Sequence, residues 1–367
     1  MKISFAYNED LVKELLSIQT NLANQDLVSI NAKTRVKILE EGKINKIKNL
    51  LLIDDIKVSS EDIENALNPI DSATLNEEQI LIKNLSNCID LLESEKKKET
   101  PFGLNLIYLL NDSLNGLSNT SRHLPLRQSS SDNIFYLKEI IDGEIVNYLP
   151  SEASNIRGLL NALLVWLDFN KDVSPFIKAS VTLFTLLSIA PFEKYNYSLS
   201  FLLSSYFLLD YEFLDICPLE VIINKEKELF FSSISMGLPP YFDFGREYIP
   251  HLEIFISYYC KAINKALIES NNIIKESSVK GDKDVLLGLN KKDIGLITYC
   301  ITHKKFIIRN SELATEFDVT PRAISKWAKE WVEKGILIPE SGKQRTTSYR
   351  LSPLYASLKL SDLKSIN

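Results

Sequence analysis

Residues 189–198 read Ile189-Ala190-Pro191-Phe192-Glu193-Lys194-Tyr195-Asn196-Tyr197-Ser198. Upstream, Ile177–Leu187 is apolar at helical spacing, and Leu199–Leu209 repeats the pattern downstream. The ten residues between carry a proline and an asparagine, both turn formers. They predict a sharp loop between two buried helices. Pro191 and Phe192 fix the loop, Asn196 bridges its backbone, and Ser198 caps the helix that follows.

Outward from this loop, Ile156, Leu159, Leu160, Leu163, Leu164 and Leu167 predict a further helix, and Pro250–Glu269 a long one. Thr100 is placed to cap a helix with Pro101 at its first position. Arg122–Tyr148 breaks the helical period. It holds Leu124-Pro125-Leu126-Arg127, the cluster Ser129-Ser130-Ser131-Asp132, and Asp142-Gly143 flanked by Ile140-Ile141 and Ile145-Val146. That is the pattern of a β-hairpin flap. Residues 9–95 read as helices, interrupted at Asn68-Pro69-Ile70-Asp71. The charged run Glu93–Glu99 reads as a solvated helix end or short linker.

The loop and its two helices resemble the Fic (Fido) family of nucleotidyl transferases. There a helix runs into the pattern H-P-F-x-[D/E]-G-N-G-R-x-x-R and another helix follows. The similarity covers roughly residues 40–270, including Leu163-Leu164-Val165-Trp166-Leu167, the run Ser174–Ser180, the flap, and Tyr248–Phe255. It implies a mainly α protein. A Fic-type helical bundle with a small β-hairpin flap would occupy 99–270, preceded by N-terminal helices over 1–98. The family moves AMP from ATP to a target hydroxyl. A histidine is general base, an acidic residue holds Mg²⁺, a glycine-flanked turn offers N–H groups to the phosphates, and two arginines neutralise them.

Position by position, the chemistry is missing. Ala190 stands at the histidine, and its methyl cannot accept a proton; losing such a base removes about 10²–10⁴ in rate. Lys194 stands at the metal-binding acid, and Glu193 is acidic one position early. Tyr195 and Tyr197 replace the glycines, and a ring-bearing residue hinders both φ > 0 and close phosphate approach. Ser198 and Phe201 replace the arginines. Pro191, Phe192 and Asn196 match. The implied site is therefore degenerate and holds neither catalytic residue nor metal ligand; residual nucleotide binding would rest on Lys194 and Asn196. Upstream, Ser60-Glu61-Asp62-Ile63-Glu64-Asn65 matches the family's inhibitory pattern [S/T]-x-x-x-E-[G/N], whose glutamate pairs with the second arginine, here Phe201. Ser60 is equally a helix cap, with Glu64 in the first turn. Arg122, His123 and Arg127 form either a basic cluster able to touch an acidic peptide or phosphate, or a plain surface loop.

Residues 271–285 are polar and predict a linker, and 286–352 a module of another type. Ser311 is expected to cap a short helix, Glu312–Phe317. Asp318-Val319-Thr320 turns the chain, and Thr320 caps a second helix starting at Pro321. Ile324, Ala328 and Trp331 are its inward face. Gly335 ends it, Ile336-Leu337-Ile338 and Thr346–Leu351 are strands, and 353–367 is a tail. The pattern resembles a winged helix-turn-helix, a form also found at the C-terminus of many Fic proteins. The resemblance puts Arg322, Ser325, Lys326 and Lys329 toward the major groove and Lys343 and Arg345, on the wing, toward phosphates or the minor groove. Trp327 is expected on the exposed side, in a dimer interface or against the wing. Between 303 and 350, ten Lys and Arg face six Asp and Glu, a basic island in a chain of net charge -6. Winged helices also dock proteins.

The 367 residues, 45% apolar with 12 Gly and 13 Pro, suit helices better than turn-rich β structure. The acidic total excludes a uniformly basic nucleic-acid coat. Cys88, Cys217, Cys260 and Cys300 stand far apart and only three histidines occur, which argues against zinc or disulfides and for reduced thiols in the cytoplasm. Met1-Lys2-Ile3-Ser4-Phe5 meets Glu9 and Asp10 at once, unlike a signal peptide. The apolar runs are too short for a membrane span. The leading reading is a bacterial-type, cytoplasmic, non-enzymatic transcriptional regulator that binds DNA, without cofactor or membrane, with a homodimer implied by the family. Its alternatives are an unorthodox protein adenylyltransferase using ATP and Mg²⁺, and a protein-interaction adaptor.

Overall fold

The computed structural model describes residues 3–24, 32–68, 75–117, 123–128, 137–141, 144–148, 150–237, 251–280, 289–339 and 348–356. Its contacts divide the chain into two units, Met1–Gln25 with Glu41–Asn271, and Asp26–Glu40 with Asn272–Asn367.

In the first unit, α1 (Glu9–Ala23) starts where the Asn8 side chain accepts from Leu11 N. Next comes α2 (Ala32–Ile53), which belongs to this unit from Glu41 onward. Helix α3 (Ser60–Leu67) opens on a capping box formed by Ser59 and Asp62, so Ser60 is its first residue, not its cap. Asn76 and Gln79 make the same box for α4 (Glu77–Lys97). Helix α5 (Leu104–Leu114) begins at Gly103 without a side-chain cap. Thr100 does not cap it: its hydroxyl donates to Glu95 at 2.7 Å, closing the end of α4 instead. The flap is an antiparallel hairpin of β1 (Leu137–Ile141) and β2 (Glu144–Tyr148); the loop at Asp142-Gly143 lies outside the described residues.

Helices α6 (Ile156–Phe169), α7 (Pro175–Ile189) and α8 (Asn196–Ser205) form the centre of the unit. Helix α7 is buried on every side from Ala179 to Ile189, which explains why its apolar residues show no single stripe. After a 3₁₀ turn, Tyr206–Leu208, come the short α9 (Phe213–Ile216) and α10 (Leu219–Lys225), then α11 (Lys227–Gly237) and α12 (Leu252–Lys280), which belongs to this unit as far as Asn271. Helix α12 runs through Asn271-Asn272 and Ser277-Ser278, where polarity predicts a linker. Polar residues alone do not stop a helix.

The second unit contains α13 (Lys291–Thr302), β3 (Ile307–Arg309), α14 (Asn310–Glu316), α15 (Pro321–Glu333), β4 (Leu337–Pro339), β5 (Ser348–Leu351) and a last turn, α16 (Pro353–Ala356). The sheet is antiparallel in the order β3-β5-β4. Thr320 caps α15, accepting from Ala323 N at 3.3 Å. Ser311 caps nothing: α14 starts one residue earlier, where Glu312 reaches back to Arg309 N at 3.1 Å. The core gathers Leu296, Ile297, Ile308, Ile324 and Trp331. Tyr355 is also buried there, so the folded unit continues past 352. Asp293 accepts from Trp331 Nε1 at 3.0 Å and Lys334 Nζ at 2.6 Å. Trp327 meets Phe317 and Trp331 edge-on, each at 5.9 Å, under the ammonium of Lys292. The indole is thus engaged by aromatic and cationic neighbours within its own unit.

All four cysteines are buried and free. Burial pushes the thiols of Cys88, Cys260 and Cys300 up to about 12. Among the described residues, no helix is long and apolar enough to cross a membrane.

Gly42 fixes one contact of the first unit. A Cβ there would collide with the backbone carbonyl of Asp215, which packs against α2. Gly42→Ala is expected to destabilise this unit by about 3 kcal/mol in chemical denaturation. Gly158→Ala is the matched control. Its Cβ would meet nothing on the exposed face of α6, so the change is expected to stabilise by up to about 1 kcal/mol.

Candidate functional site

Helix α7 ends in a left-handed residue, Ala190 (φ 46°), whose N–H donates to Leu186 O at 2.8 Å. Pro191 and Phe192 are buried, while Glu193 and Lys194 are exposed. Tyr195 immediately precedes α8 at φ 58°, ψ 27°. The glycine-like conformation is therefore kept by a tyrosine, against the expectation that the ring would hinder it. The conformation costs about 1–2 kcal/mol and is held by the surrounding clamp. Asn196 supplies that clamp: its Oδ1 accepts from Phe192 N at 3.0 Å, and its Nδ2 donates to Phe192 O at 2.6 Å.

A buried cation secures the other side of the loop. Arg127 is 2% exposed. Its Nε donates to Ala190 O at 2.7 Å. One terminal nitrogen donates to Ile189 O at 3.1 Å and to Ser151 O. The Arg127 N–H donates to Pro191 O at 3.0 Å. The carbonyls of Ile189 and Ala190 are among those a helix leaves orphaned at its C-terminal end, where the dipole also favours a cation. Arg127 is therefore a buried structural group and not part of a surface loop. Arg122 lies outside the described residues. His123 is half-exposed: its Nδ1 lies 2.7 Å from Asp112 Oδ2, and its ring stacks on Tyr108, which meets Phe192 edge-on at 5.8 Å.

Ser198 does not cap α8; Tyr195 holds that position. Its hydroxyl donates at 2.5 Å to Asp54, a residue 144 positions away at the end of α2. Burial pushes the Asp54 carboxyl up to about 6, with the Ser198 hydrogen bonds pulling the other way. Tyr197 meets Phe231 at 6.1 Å and Phe201 meets Phe230 at 5.7 Å. Both side chains thus pack onto the aromatic face of α11. No local signal in the sequence pointed to Asp54. Ser60 receives a hydrogen bond from Lys48 at 3.4 Å, whereas Glu64 and Asn65 are exposed, with Ile63 and Ala66 as the buried side of α3.

These residues do not fit magnesium-bound ATP. Asp54 brings negative charge to a position the family pattern reserves for arginine. Both amide atoms of Asn196 are engaged with Phe192, and the Arg127 guanidinium is turned onto carbonyls. No group of three or more potential metal ligands occurs among the described residues.

No family model matches this sequence, and no curated protein matches it in sequence. Solved structures do. A Fic family protein from Desulfovibrio desulfuricans superposes with a TM-score of 0.59 over 96% of this chain and 99% of its own, at 14% identity. The chain has the Fic fold. A Fic domain containing signaling protein from Bacteroides thetaiotaomicron gives 0.52 over 73% of this chain and 97% of its own, at 12% identity. Fic-1 of C. elegans, residues 134–508, gives 0.52 over 73% of each chain, also at 12%. The Fic bundle is thus reached with few shared residues.

In the second unit, Arg322, Ser325, Lys326 and Lys329 are all exposed on α15, opposite buried Ile324, Ala328 and Trp331. The Ser325 hydroxyl is already engaged: it donates to Pro321 O at 2.9 Å and accepts from Asn310 at 3.2 Å. Lys343 and Arg345 lie outside the described residues.

Two substitutions test the motif of this Fic bundle. Arg127→Met leaves several buried carbonyls without donors and is expected to lower stability by about 3–5 kcal/mol in urea denaturation. Asp54 has a folded pKa above its unfolded value of about 3.9. Its favourable contribution is present at low pH and is lost as pH rises through about 6. Asp54→Asn is therefore expected to stabilise at pH 7.5, by roughly 2 kcal/mol, and to change little at pH 4.

Proposed function

We propose that this protein is a DNA-binding transcriptional regulator of the cytoplasm, in which a catalytically silent Fic bundle accompanies a C-terminal winged helix-turn-helix. The order α14, turn, α15, with a three-stranded antiparallel sheet behind them, supports that assignment of the second unit. The observation that carries the reading is the division of α15. Its inner face is apolar, while its exposed cations Arg322, Lys326 and Lys329 precede the acids Glu330 and Glu333. Recognition helices contact base edges through their N-terminal part, so the positive half would enter the major groove. Lys343 and Arg345 would then reach phosphates or the minor groove. A homodimer would read two half-sites about 34 Å apart.

The silent bundle follows from the motif. Ala190 offers no base, Lys194 no metal ligand, and Ser198 and Phe201 no guanidinium. No cofactor is needed for this reading.

A mobility-shift series against genomic fragments tests it. The wild-type chain is expected to bind with an affinity that falls steeply with salt, through counterion release. Arg322→Ala with Lys326→Ala is expected to weaken specific binding by about tenfold or more and to reduce the salt slope by about 2. Full binding by the double variant would remove α15 as the reader. Label transferred from ATP to protein in the presence of Mg²⁺ would favour the adenylyltransferase alternative. Failure of both assays leaves the protein-interaction adaptor.

A further inference from the structure

The first unit holds a cleft of about 470 Å³ that the Fic motif does not use. Helix α11 separates the two. Phe230 and Phe231 pack toward α8, whereas Leu229, Ser232 and Met236 line the cleft. The facing wall is α12, and the start of α1 contributes Asn8 and Asp10. This size and a mixed apolar and polar lining suit a small organic ligand.

The polar groups of α12 are unusual. Glu253 Oε2, Ser257 Oγ and Tyr258 Oη are buried atoms with no hydrogen-bond partner among the described residues. Glu253 and Ser257, four apart, share one side of the helix, Tyr258 follows directly, and all three residues line the cleft. A buried polar atom without a partner costs about 1–3 kcal/mol, so three together call for a ligand that satisfies them. Burial holds the Tyr258 phenol well above its usual pKa, so it remains a hydroxyl donor. Leu229 and Met236 are each 60% exposed and Ile254 is 42% exposed, forming an apolar rim.

Charge selects the class of ligand. Among the described lining residues, Asp10, Glu226 and Glu253 stand against Lys261 and Lys265. Lys265 is ion-paired with Glu226. Glu253 has no ion-pair partner among the described residues, and its carboxylate can only accept.

We propose that this cleft binds a small amphipathic amine. The ammonium donates to Glu253, a neighbouring polar group meets Ser257 and Tyr258, and the apolar body lies against Leu229, Met236 and Ile254. The site is independent of the DNA-binding reading.

Calorimetric titration of the full chain with three size-matched probes tests it: 2-phenylethylamine, 2-phenylethanol and 3-phenylpropionate. The amine is expected to bind most tightly and the carboxylate most weakly. Glu253→Gln is expected to weaken the amine by about tenfold or more while leaving the alcohol within about twofold. Lys261→Gln, an exposed change that spares the fold, is expected to tighten the amine by removing a like charge. Three outcomes would each overturn the proposal. They are no saturable binding of any probe to the folded wild-type chain, a carboxylate bound as tightly as the amine, and an amine affinity indifferent to both variants.

Discussion

Arg127 carries a guanidinium into the interior and directs it at the carbonyls of Ile189, Ala190 and Ser151. Helix α7 is buried along most of its length, so water cannot satisfy its C-terminal end. A side chain must do so, and a cation is the best choice because the same end carries the negative pole of the helix. Everything beyond this point in the motif inherits its position from that contact. Ala190 turns left-handed, Pro191 bonds back to Arg127, and Asn196 closes the loop on Phe192. The loop is therefore shaped from within by hydrogen bonds that involve no ligand. That is why its form persists although residues that would meet a nucleotide are absent.

The electrostatics of the loop run opposite to a phosphate site. A cradle for triphosphate needs outward-facing donors and guanidinium groups. Here Ser198 gives its hydroxyl to Asp54, and Tyr197 and Phe201 turn onto the phenylalanines of α11. Asp54 is not the only strained acid. Burial pushes Asp215 up to about 6 and raises Glu220 as well, with Lys46 opposing both shifts. Acids in such positions are retained at a cost in stability at neutral pH, so the bundle gains from their protonation rather than from their charge.

Periodicity made α6, α7 and α8 legible, because each buries apolar residues over several turns. The hairpin was legible from Asp142-Gly143 between two apolar pairs, and Asn196 from the turn it must bridge. Helix starts were read one to three residues off. Ser60, Ser198 and Ser311 are good capping residues by type, but Ser59, Tyr195 and Arg309 hold the cap positions. A cap is decided by backbone angles, which composition only biases. Strand β3 has three residues, too few for an alternation to register. Arg127 sits among loop residues and reads as surface; its burial depends on α7 lying beside it. Asp54 and Ser198 meet across 144 residues, a pairing without any local trace.

The same separation between shape and chemistry bears on function. The bundle reaches the Fic fold at 12–14% identity to the solved structures, so most of its residues can differ while the fold is kept. Fold and activity are then free to part, because activity lies in a few side chains set on the scaffold. In this chain Asn196 and Ser198 of the motif face inward, whereas the outer face of α15 leaves three cations unburied beside a fully packed inner face. Desolvated charge that is already paired stabilises or strains a fold, while charge left exposed on a rigid, well-capped helix remains available to a partner. By that physical criterion Arg322, Lys326 and Lys329 are charges that α15 leaves to solvent.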